Sequence, residues 1–408
     1  MESNDNKGSK LNPLDRFLID LIEKHIYEIA VALIVLMSLV IRYKLTTFKF
    51  NGEYISGDYH GFLTRWVNYY RELGVVKGLG RSIGDYYVPY NLILAVISVI
   101  PIFDEGIWIS AVSIFGEYLG ALFMFKILDH LTGGNKKRSA FAAAMMLYLP
   151  MAMLNGALWK QCDGFYTAFI FIGLYLFFKK KYNPAFIFFA IAFIFKLQTL
   201  FFVPFLIAMY ICYHEFSILK FLWFPGLYLL AGIPALICGR SLESTYLVYF
   251  KQTDVGKMSV GFPNIYILGI DSYEAMTVPA LMITVTVLII IACFLMSKRE
   301  RLDQKLSFAV AGYFVMTCVM FLPAMHERYD YLAIIILSMY ALAIDIRLAP
   351  TAVIMNICPI FTYGSYLFHQ GDNIISYQLM SLMYLFAYLY AAWYICRRLT
   401  VPAENVKG

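Results

Sequence analysis

The sequence has few charged residues for its length. Of its 408 residues, 15% are charged and 61% are hydrophobic. An average soluble domain is about half apolar and about a quarter charged, so a water-soluble core cannot absorb this excess. Apolar runs such as 26–41, 139–154, 273–296 and 377–396 approach the roughly 20 residues that cross a bilayer as a helix. The composition excludes an ordinary soluble protein and predicts many transmembrane helices.

Several common motifs are also missing. The seven cysteines are scattered without CxxC or metal-ligand spacing, which argues against a disulfide framework or a zinc site. The sequence has no Gly-rich nucleotide-binding loop, and no Asn is followed by x-Ser or x-Thr, so it has no glycosylation acceptor. No internal repeat or linker divides the chain. We therefore expect one membrane domain, with no cofactor and no metal indicated, in a bacterial plasma membrane.

Lysine and arginine concentrate beside the apolar runs. The clusters are the N-terminal segment, 136–138, 179–181, 298–305, Arg347 and 397–398. Because cytoplasmic loops carry an excess of Lys and Arg, we place all of them at the cytoplasmic face. The net charge of +6 then reflects membrane topology, and nucleic acid is not an expected partner. The first apolar run has no small-residue cleavage site after it, so it is predicted to be a retained helix.

This charge pattern limits the number of crossings. Successive cytoplasmic clusters must be separated by an even number of spans. The first span, 26–42, leads out of the cytoplasm and the cluster 136–138 is again inside, so only one full crossing fits between 43 and 135. The stretch 88–103 is the shorter candidate and contains Pro89 and Pro101. We therefore predict that it lies along the outer face, and that 106–131 crosses the bilayer.

The predicted fold is an all-α polytopic membrane protein, a bundle of about twelve transmembrane helices with both termini in the cytoplasm. The crossings are 26–42, 106–131, 139–157, 163–178, 184–197, 199–213, 218–238, 273–297, 306–322, 329–346, 350–368 and 374–396. The pair after Asn183 is short for full spans, so a broken or tilted helix is expected there. Four segments lie outside: 43–105, 159–163, 239–272 and 323–330.

The first outer loop combines an acid with a predicted amphipathic helix. Aromatic and apolar residues recur at helical spacing from Phe62 to Tyr70, which predicts a helix lying on the membrane. Asp58 precedes this helix, near the outer interface, where a carboxylate can take a proton from a hydroxyl group. The alternative is that Asp58 only caps the helix, and the local sequence supports that alternative at least as well.

Two polar groups interrupt the middle of the chain. Lys160, Gln161 and Asp163 lie in a turn that is too short to leave the membrane surface, and such charges are costly unless paired or functional. A Lys160–Asp163 ion pair is the structural alternative to a substrate role. Lys196 and Gln198 lie at the outer end of a short helix. Snorkelling explains the lysine without function, whereas the neighbouring amide favours a polar pocket.

The densest polar group is the outward turn 322–331. It contains His326, Glu327, Arg328 and Tyr329, and His, Arg and Tyr together can bind a phosphate. A structural Glu327–Arg328 network is the alternative.

Two further polar features are less specific. Glu117 lies in the middle of a predicted span and is left unassigned between a functional and a structural role. Another outward turn, His369 to Asn373, favours a solvated loop.

These elements together resemble a known superfamily. The first-loop acid, a W-x-Q-x-D turn, an FKLQ segment and an LPxxHERY turn occur in the order typical of GT-C glycosyltransferases, which use polyprenyl-phosphate sugars. The closest likeness is to the bacterial branch related to the second GPI-anchor mannosyltransferase. The resemblance covers roughly 50–345, within a core module of 26–345 that precedes C-terminal helices in 346–408. It implies a GT-C-like bundle with a membrane-parallel helix in the first outer loop.

The resemblance also implies an activity and roles. It implies transfer of a sugar from a lipid phosphate to a glycan or lipid-linked acceptor, on the outer face and among membrane lipids. Asp58 matches the first-loop catalytic acid, Asp163 the second acid, and 326–328 the HER turn near the donor phosphate. Lys160 departs from the pattern, because a small residue often precedes the Gln, and it is predicted as an added phosphate or acceptor contact.

The chemistry of these residues is consistent with that activity. A polyprenyl phosphate sugar carries its own leaving group, so the protein needs a base for the acceptor and cations for the phosphate. We predict Asp58 as the general base, Arg328, His326, Lys196 or Lys160 at the phosphate, and inversion at the anomeric carbon. The rival functions are a multi-span transporter or flippase, with midplane polar groups and repeats, and a polysaccharide polymerase or ligase.

Overall fold

The computed structural model describes residues 12–251, 256–270, 272–368 and 374–401. The α-helices of these residues are α1 (Pro13–Thr46), α2 (Thr64–Leu73), α3 (Val75–Leu79), α4 (Val88–Ser98), α5 (Glu105–Leu131), α6 (Lys136–Met146), α7 (Pro150–Asn155), α8 (Asp163–Phe178), α9 (Tyr182–Phe195), α10 (Val203–Tyr213), α11 (Trp223–Ile237), α12 (Leu242–Tyr246), α13 (Val248–Lys251), α14 (Tyr273–Ser297), α15 (Gln304–Phe321), α16 (Tyr331–Ala343), α17 (Ala349–Phe368) and α18 (Tyr377–Thr400).

Shorter elements join these helices. A π-helical turn covers Tyr59–Leu63, and 3₁₀ turns cover Leu197–Phe202, Ile218–Leu222, Ile265–Leu268, Arg299–Arg301 and Ile346–Leu348. Two short strands, β1 (Ser259–Val260) and β2 (Met325–His326), pair in parallel. This pairing ties the loop before α14 to the turn before α16.

Seven helical segments in the described part of the chain are long and apolar enough to cross a membrane. They are α1, α5, α14, α15, α18, and the segments Ile218–Ile237 and Ile346–Phe368, which contain α11 and α17. The chain is therefore an α-helical protein with several helices suited to the bilayer. The other five predicted crossings coincide with the shorter helices α6 with α7, α8, α9, α10 and α16.

The clearest break within a predicted crossing lies in 139–157. There α6 ends at Met146 and α7 begins at Pro150. The break follows from the proline, because the residue before proline is pushed towards extended backbone, and Leu149 has ψ 131°. We expected a break in the pair after Asn183. In that pair α9 is continuous, and the next helix begins as a 3₁₀ turn.

The segment predicted to lie along the outer face forms α4, which is 11 residues long. At 1.5 Å per residue it spans about 17 Å, well short of the roughly 30 Å hydrocarbon layer. α4 packs against α2, α3, α5 and α11. The amphipathic helix predicted before it is α2, which buries Trp66, Val67 and Tyr70. This apolar face packs into a protein cluster with α4 residues, so it does not lie open to the membrane as predicted.

The core is built from pairs of packed helices. α5 packs along α8, α8 packs along α9, and α15 packs against both α16 and α18. Nearly every residue of α15 is buried, whereas few residues of α1, α11 and α14 are buried. Apolar side chains turned outward in this way suit contact with lipid rather than water.

Candidate active site

Polar residues from four parts of the chain surround one pocket. The pocket has a volume of about 880 Å³. Eight of the predicted site residues line it: Asp58, Gln161, Lys196, Gln198, His326, Glu327, Arg328 and Tyr329. Asp163 lies beside the pocket through its ion pairs with Lys196 and Arg328. Segments far apart in sequence thus place their polar side chains around a single cavity.

Asp58 points its carboxylate into this pocket. Oδ2 accepts a hydrogen bond from Trp159 Nε1 at 2.9 Å and another from the Gln161 amide. Oδ1 accepts one from the Tyr366 hydroxyl. Asp58 makes no capping hydrogen bond; instead Ser56 Oγ accepts the backbone N–H three residues on, at 3.2 Å. The capping alternative for Asp58 is therefore wrong.

The surroundings of Asp58 favour its ionised form. Burial opposes the charge, but the Arg328 guanidinium, 3.8 Å from Oδ2, and three hydrogen-bond donors together hold the pKa of Asp58 below its ordinary value. The side chain is still 14% exposed. A molecule in the pocket therefore meets a charged carboxylate.

Asp163 is the second acid of the site, and it is fully buried. It is the first residue of α8, where the helix dipole favours a negative charge. Oδ1 pairs with Lys196 Nζ at 2.5 Å, and Oδ2 accepts a hydrogen bond from Asn155 Nδ2 at 2.8 Å. The Lys160–Asp163 pair considered from the sequence does not form.

Lys196 enters the site because the backbone changes direction there. α9 ends at Phe195, and Lys196 is extended, with φ −153° and ψ 129°, before the 3₁₀ turn begins at Leu197. Its side chain is only 5% exposed and turns inward to Asp163. The snorkelling alternative for Lys196 is therefore wrong. Gln198 follows in the same turn and lines the pocket.

Arg328 lies between the two acids. Nη1 is 3.8 Å from Asp58 Oδ2 and 3.1 Å from Glu327 Oε1, while Nε is 3.8 Å from Asp163 Oδ2. The guanidinium lies over the Trp159 ring, 5.4 Å from its centroid. Nε is buried and has no hydrogen-bond partner in the described residues. Arg328 is thus held by charge while one donor is unused.

Opposite charges keep Arg328 ionised. Burial opposes its charge, but the carboxylates of Glu327, Asp58 and Asp163 raise the pKa of Arg328 well above its ordinary value. Burial raises the pKa of Glu327, although Arg328 opposes this. The Glu327–Arg328 network proposed as a structural alternative is therefore present, and it forms part of the pocket wall.

His326 is not a cation at neutral pH. Burial and the Arg328 charge lower the pKa of His326 to about 3. Its ring can therefore donate or accept a hydrogen bond, but it does not supply the positive charge that the sequence interpretation assigned to it. The ring lies 5.0 Å from the Tyr329 ring, centroid to centroid, so both side chains line the same wall.

Backbone pairing holds this turn in place. Val260 is the register partner of His326, and Ala324 N–H donates to Met258 O at 3.0 Å. Gly261 has φ +81°, and a Cβ atom there would lie 2.8 Å from Glu327 Oε2. Glycine is therefore required at this position both for the backbone and for the space beside Glu327.

Lys160 is not brought to the pocket. Its ammonium donates to Thr46 O, Gly106 O and Ser110 Oγ, each at 3.2 Å, and lies 3.9 Å from the Tyr54 ring centroid. Burial lowers the pKa of Lys160 to about 7. The predicted phosphate contact by Lys160 is therefore wrong; the side chain joins the two ends of the first outer loop.

The site also contains residues that sequence reasoning missed. Tyr366 comes from α17, and Tyr86 lies before α4 and donates to Gln161 Oε1 at 3.1 Å. Lys251 and Lys257 line the pocket from the loop before α14. The only sequence signal for Tyr366 was its place, with Tyr363, one turn apart at the outer end of the penultimate apolar run.

The remaining polar predictions have different outcomes. Glu117 Oε2 pairs with Arg42 Nε at 2.6 Å, and both side chains are fully buried between α1 and α5. Glu117 therefore joins α1 to α5 and does not line the pocket. The turn from His369 to Asn373 lies outside the described residues.

Two comparisons with known proteins found no match. The chain matches no family model and no curated protein sequence. Within the described residues, no three His, Cys, Asp or Glu side chains are grouped so that they could hold a metal ion. The side chains at the pocket include the Asp58 carboxylate, the Arg328 guanidinium, the Lys196 ammonium and several hydrogen-bond donors.

Proposed function

We propose that the chain is a membrane glycosyltransferase of the GT-C type. It would transfer a sugar from a polyprenyl phosphate to a glycan or lipid-linked hydroxyl acceptor, with inversion. The observation that carries this proposal is Arg328, which sits 3.8 Å from both Asp58 and Asp163 with Nε unpartnered. A guanidinium in the pocket wall beside a charged carboxylate suits a reaction that needs an anion site next to a base.

In this proposal the donor phosphate binds at Arg328. Two phosphate oxygens can accept from the planar donors of a guanidinium, and Arg328 lines the pocket. Lys196 lies on the same side of the pocket and adds a second cation. Gln198, Tyr329 and the neutral His326 add hydrogen bonds. These groups stabilise the charge that develops on the phosphate as the sugar departs.

Asp58 is the proposed general base. It takes the proton of the acceptor hydroxyl while the acceptor oxygen bonds to the anomeric carbon and the bond from that carbon to the phosphate oxygen breaks. A phosphate bound at Arg328 also competes with Asp58 for the guanidinium charge, because Asp58 and the phosphate are both anions. Donor binding therefore raises the pKa of Asp58 towards the range in which a carboxylate is a better base.

We further propose that twelve crossings place this pocket on the outer side of a bacterial plasma membrane. The basic clusters lie at helix ends far from the pocket-lining turns. Residues 136–138 begin α6, 298–301 lie between α14 and α15, Lys305 lies in the first turn of α15, and 397–398 lie in the last turn of α18. A lipid-linked donor confined to the membrane would then meet the pocket at the membrane surface. α4 and α2 would lie beside its entrance.

The test is sugar transfer by the purified protein in nanodiscs. We expect transfer to glycan or lipid-linked acceptors from at least one polyprenyl phosphate sugar, and none from the matching nucleotide sugars. The product from a β-linked donor should carry the α anomer, which NMR coupling constants distinguish. Transfer from nucleotide sugars alone would contradict the proposed donor class. Failure with every lipid donor, together with movement of lipid or solute across vesicles, would favour a transporter or flippase.

A further inference from the structure

We infer that Tyr366 is a positioning residue that aligns Asp58 for proton abstraction, an inference that rests on the proposed function. Its hydroxyl donates to Asp58 Oδ1, while Trp159 and Gln161 donate to Oδ2. The two carboxylate oxygens are therefore held from opposite directions. Tyr366 lies in α17, outside the segments that resemble the GT-C family.

The Tyr366 ring cannot easily leave this position. It stacks on the Trp159 ring with centroids 4.2 Å apart and planes at 16°. Trp159 is fully buried, and the edge of Tyr363 packs on it at 4.5 Å. The Tyr363 hydroxyl accepts from Asn155 Nδ2 at 3.2 Å, and the same amide donates to Asp163. The aromatic group thus links α17 to both acids of the site.

Backbone packing limits the phenol on its other side. A Cβ atom at Gly57 would lie 3.3 Å from the Tyr366 hydroxyl oxygen. The backbone beside Asp58 therefore lies directly against Tyr366, so the phenol and the carboxylate are held at a fixed separation. A tyrosine supported on two sides costs little side-chain entropy when it orients a neighbouring group.

The hydrogen-bond count assigns different tasks to the two carboxylate oxygens. Each oxygen of a carboxylate can accept about two hydrogen bonds. Oδ2 already accepts two, and the Arg328 charge lies beside it. Among the described residues, Oδ1 accepts only the hydrogen bond from Tyr366, so one position is left. We therefore assign Oδ1 as the oxygen that takes the acceptor proton, with Tyr366 fixing the direction of approach.

The test compares Tyr366→Phe with wild type and with Tyr390→Phe in the nanodisc assay. Tyr366→Phe keeps the ring on Trp159 and removes only the hydroxyl. Tyr390→Phe is the matched control. It removes a hydroxyl of α18 that donates to Arg347 O at 3.0 Å, and Tyr390 does not line the pocket. We expect Tyr366→Phe to lower kcat about tenfold, with KM for the donor unchanged within twofold.

The pH profile separates positioning from general damage. A carboxylate that loses a hydrogen bond to its charged form becomes a weaker acid. The acidic limb of the pH profile of kcat should therefore shift to higher pH by about one unit in Tyr366→Phe. It should not shift in Tyr390→Phe. If wild type transfers sugar but Tyr366→Phe keeps both kcat and the acidic limb, the inference is wrong while the proposed function stands. Absence of transfer by wild type would overturn both.

Discussion

At the scale of single residues, the site is defined by one guanidinium shared between two acids. Arg328 is 13% exposed, Asp58 14% and Asp163 1%. This gradient separates their tasks, because Asp58 can meet a substrate and Asp163 cannot. Asp163 and Lys196 form a buried pair, which fixes the wall against which Arg328 rests. Arg328 is buried against both acids, and its Nε has no hydrogen-bond partner among the described residues.

The neutral state of His326 predicts a pH effect on stability. Its folded pKa is about 3 and its ordinary value is 6.5. The unfolded chain therefore takes up this proton first, so stability is fully present above pH 6.5 and is lost as the pH falls towards 3. Wild type should lose roughly 3 kcal/mol more than His326→Gln between pH 6.5 and 4. Thermal unfolding at both pH values measures this, and equal losses would contradict it.

Whether a site residue could be predicted from the sequence depends on the contacts that hold it in the fold. Asp58, Asp163 and Arg328 lie in short polar segments within apolar sequence, where the cost of charge near a membrane makes function visible. Lys160 shares that signal, yet its ammonium is satisfied by carbonyls of Thr46 and Gly106. These partners come from segments that are distant from Lys160 in sequence, so the local pattern could not predict them. Tyr366 was missed for the same reason, since its partner Asp58 is 308 residues away.

At the scale of elements, the turn that carries Arg328 depends on the loop before α14. β1 pairs with β2, and Gly261 leaves room for Glu327. Gly261→Ala should therefore lower kcat about tenfold, because the added Cβ displaces Glu327 and with it Arg328. Gly256→Ala is the matched control, with φ +70° but nothing within 4 Å of its Cβ.

Both of these substitutions strain the backbone by about 1 kcal/mol, and Gly261→Ala should lose further stability in thermal unfolding because its Cβ contacts Glu327. Sugar transfer should separate them. Equal kcat values for the two variants would show that the contact between Gly261 and Glu327 has no part in the site.

The ion pair between α1 and α5 predicts a second effect at this scale. Arg42 and Glu117 are both fully buried, and Arg42 Nη2 also donates to Ala152 O at 3.2 Å. Glu117→Gln leaves a buried cation without its counter-charge and should cost about 3 kcal/mol. Arg42→Met in the same chain should recover part of this loss. Thermal unfolding of the two single variants and the double variant gives the coupling, and additive losses would contradict a direct pair.

Elements were predicted best where a single local rule governs them. Long apolar runs became long helices, since a bilayer-length run needs no distant contact to form one. The division of 139–157 was also visible in principle, because Pro150 disfavours helix at the residue before it. The inward apolar face of α2 was not visible, since the same pattern suits a membrane surface or a protein surface. Its partner α4 decides between them.

At the scale of the whole molecule, the topology can be tested through α4. Val96 in α4 and Val99 directly after it are 56% and 63% exposed, whereas Ala95 is fully buried. In a chain without native cysteines, Val96→Cys and Val99→Cys should react with a membrane-impermeant maleimide only from the outside. Lys136→Cys, in a basic cluster, should react only from the inside. Reaction of Val96→Cys or Val99→Cys from the cytoplasm would contradict the proposal that the pocket faces outward and that the chain crosses the membrane twelve times.

The central claim is that Asp58 is the base of a sugar transfer from a lipid phosphate. The most direct measurement is kcat for Asp58→Asn with a polyprenyl phosphate sugar, beside Glu53→Gln, an exposed acid of the same loop. General base catalysis contributes about 10²–10⁴-fold, so Asp58→Asn should lose at least 100-fold in kcat. Glu53→Gln should behave as wild type. Full activity of Asp58→Asn would contradict the account.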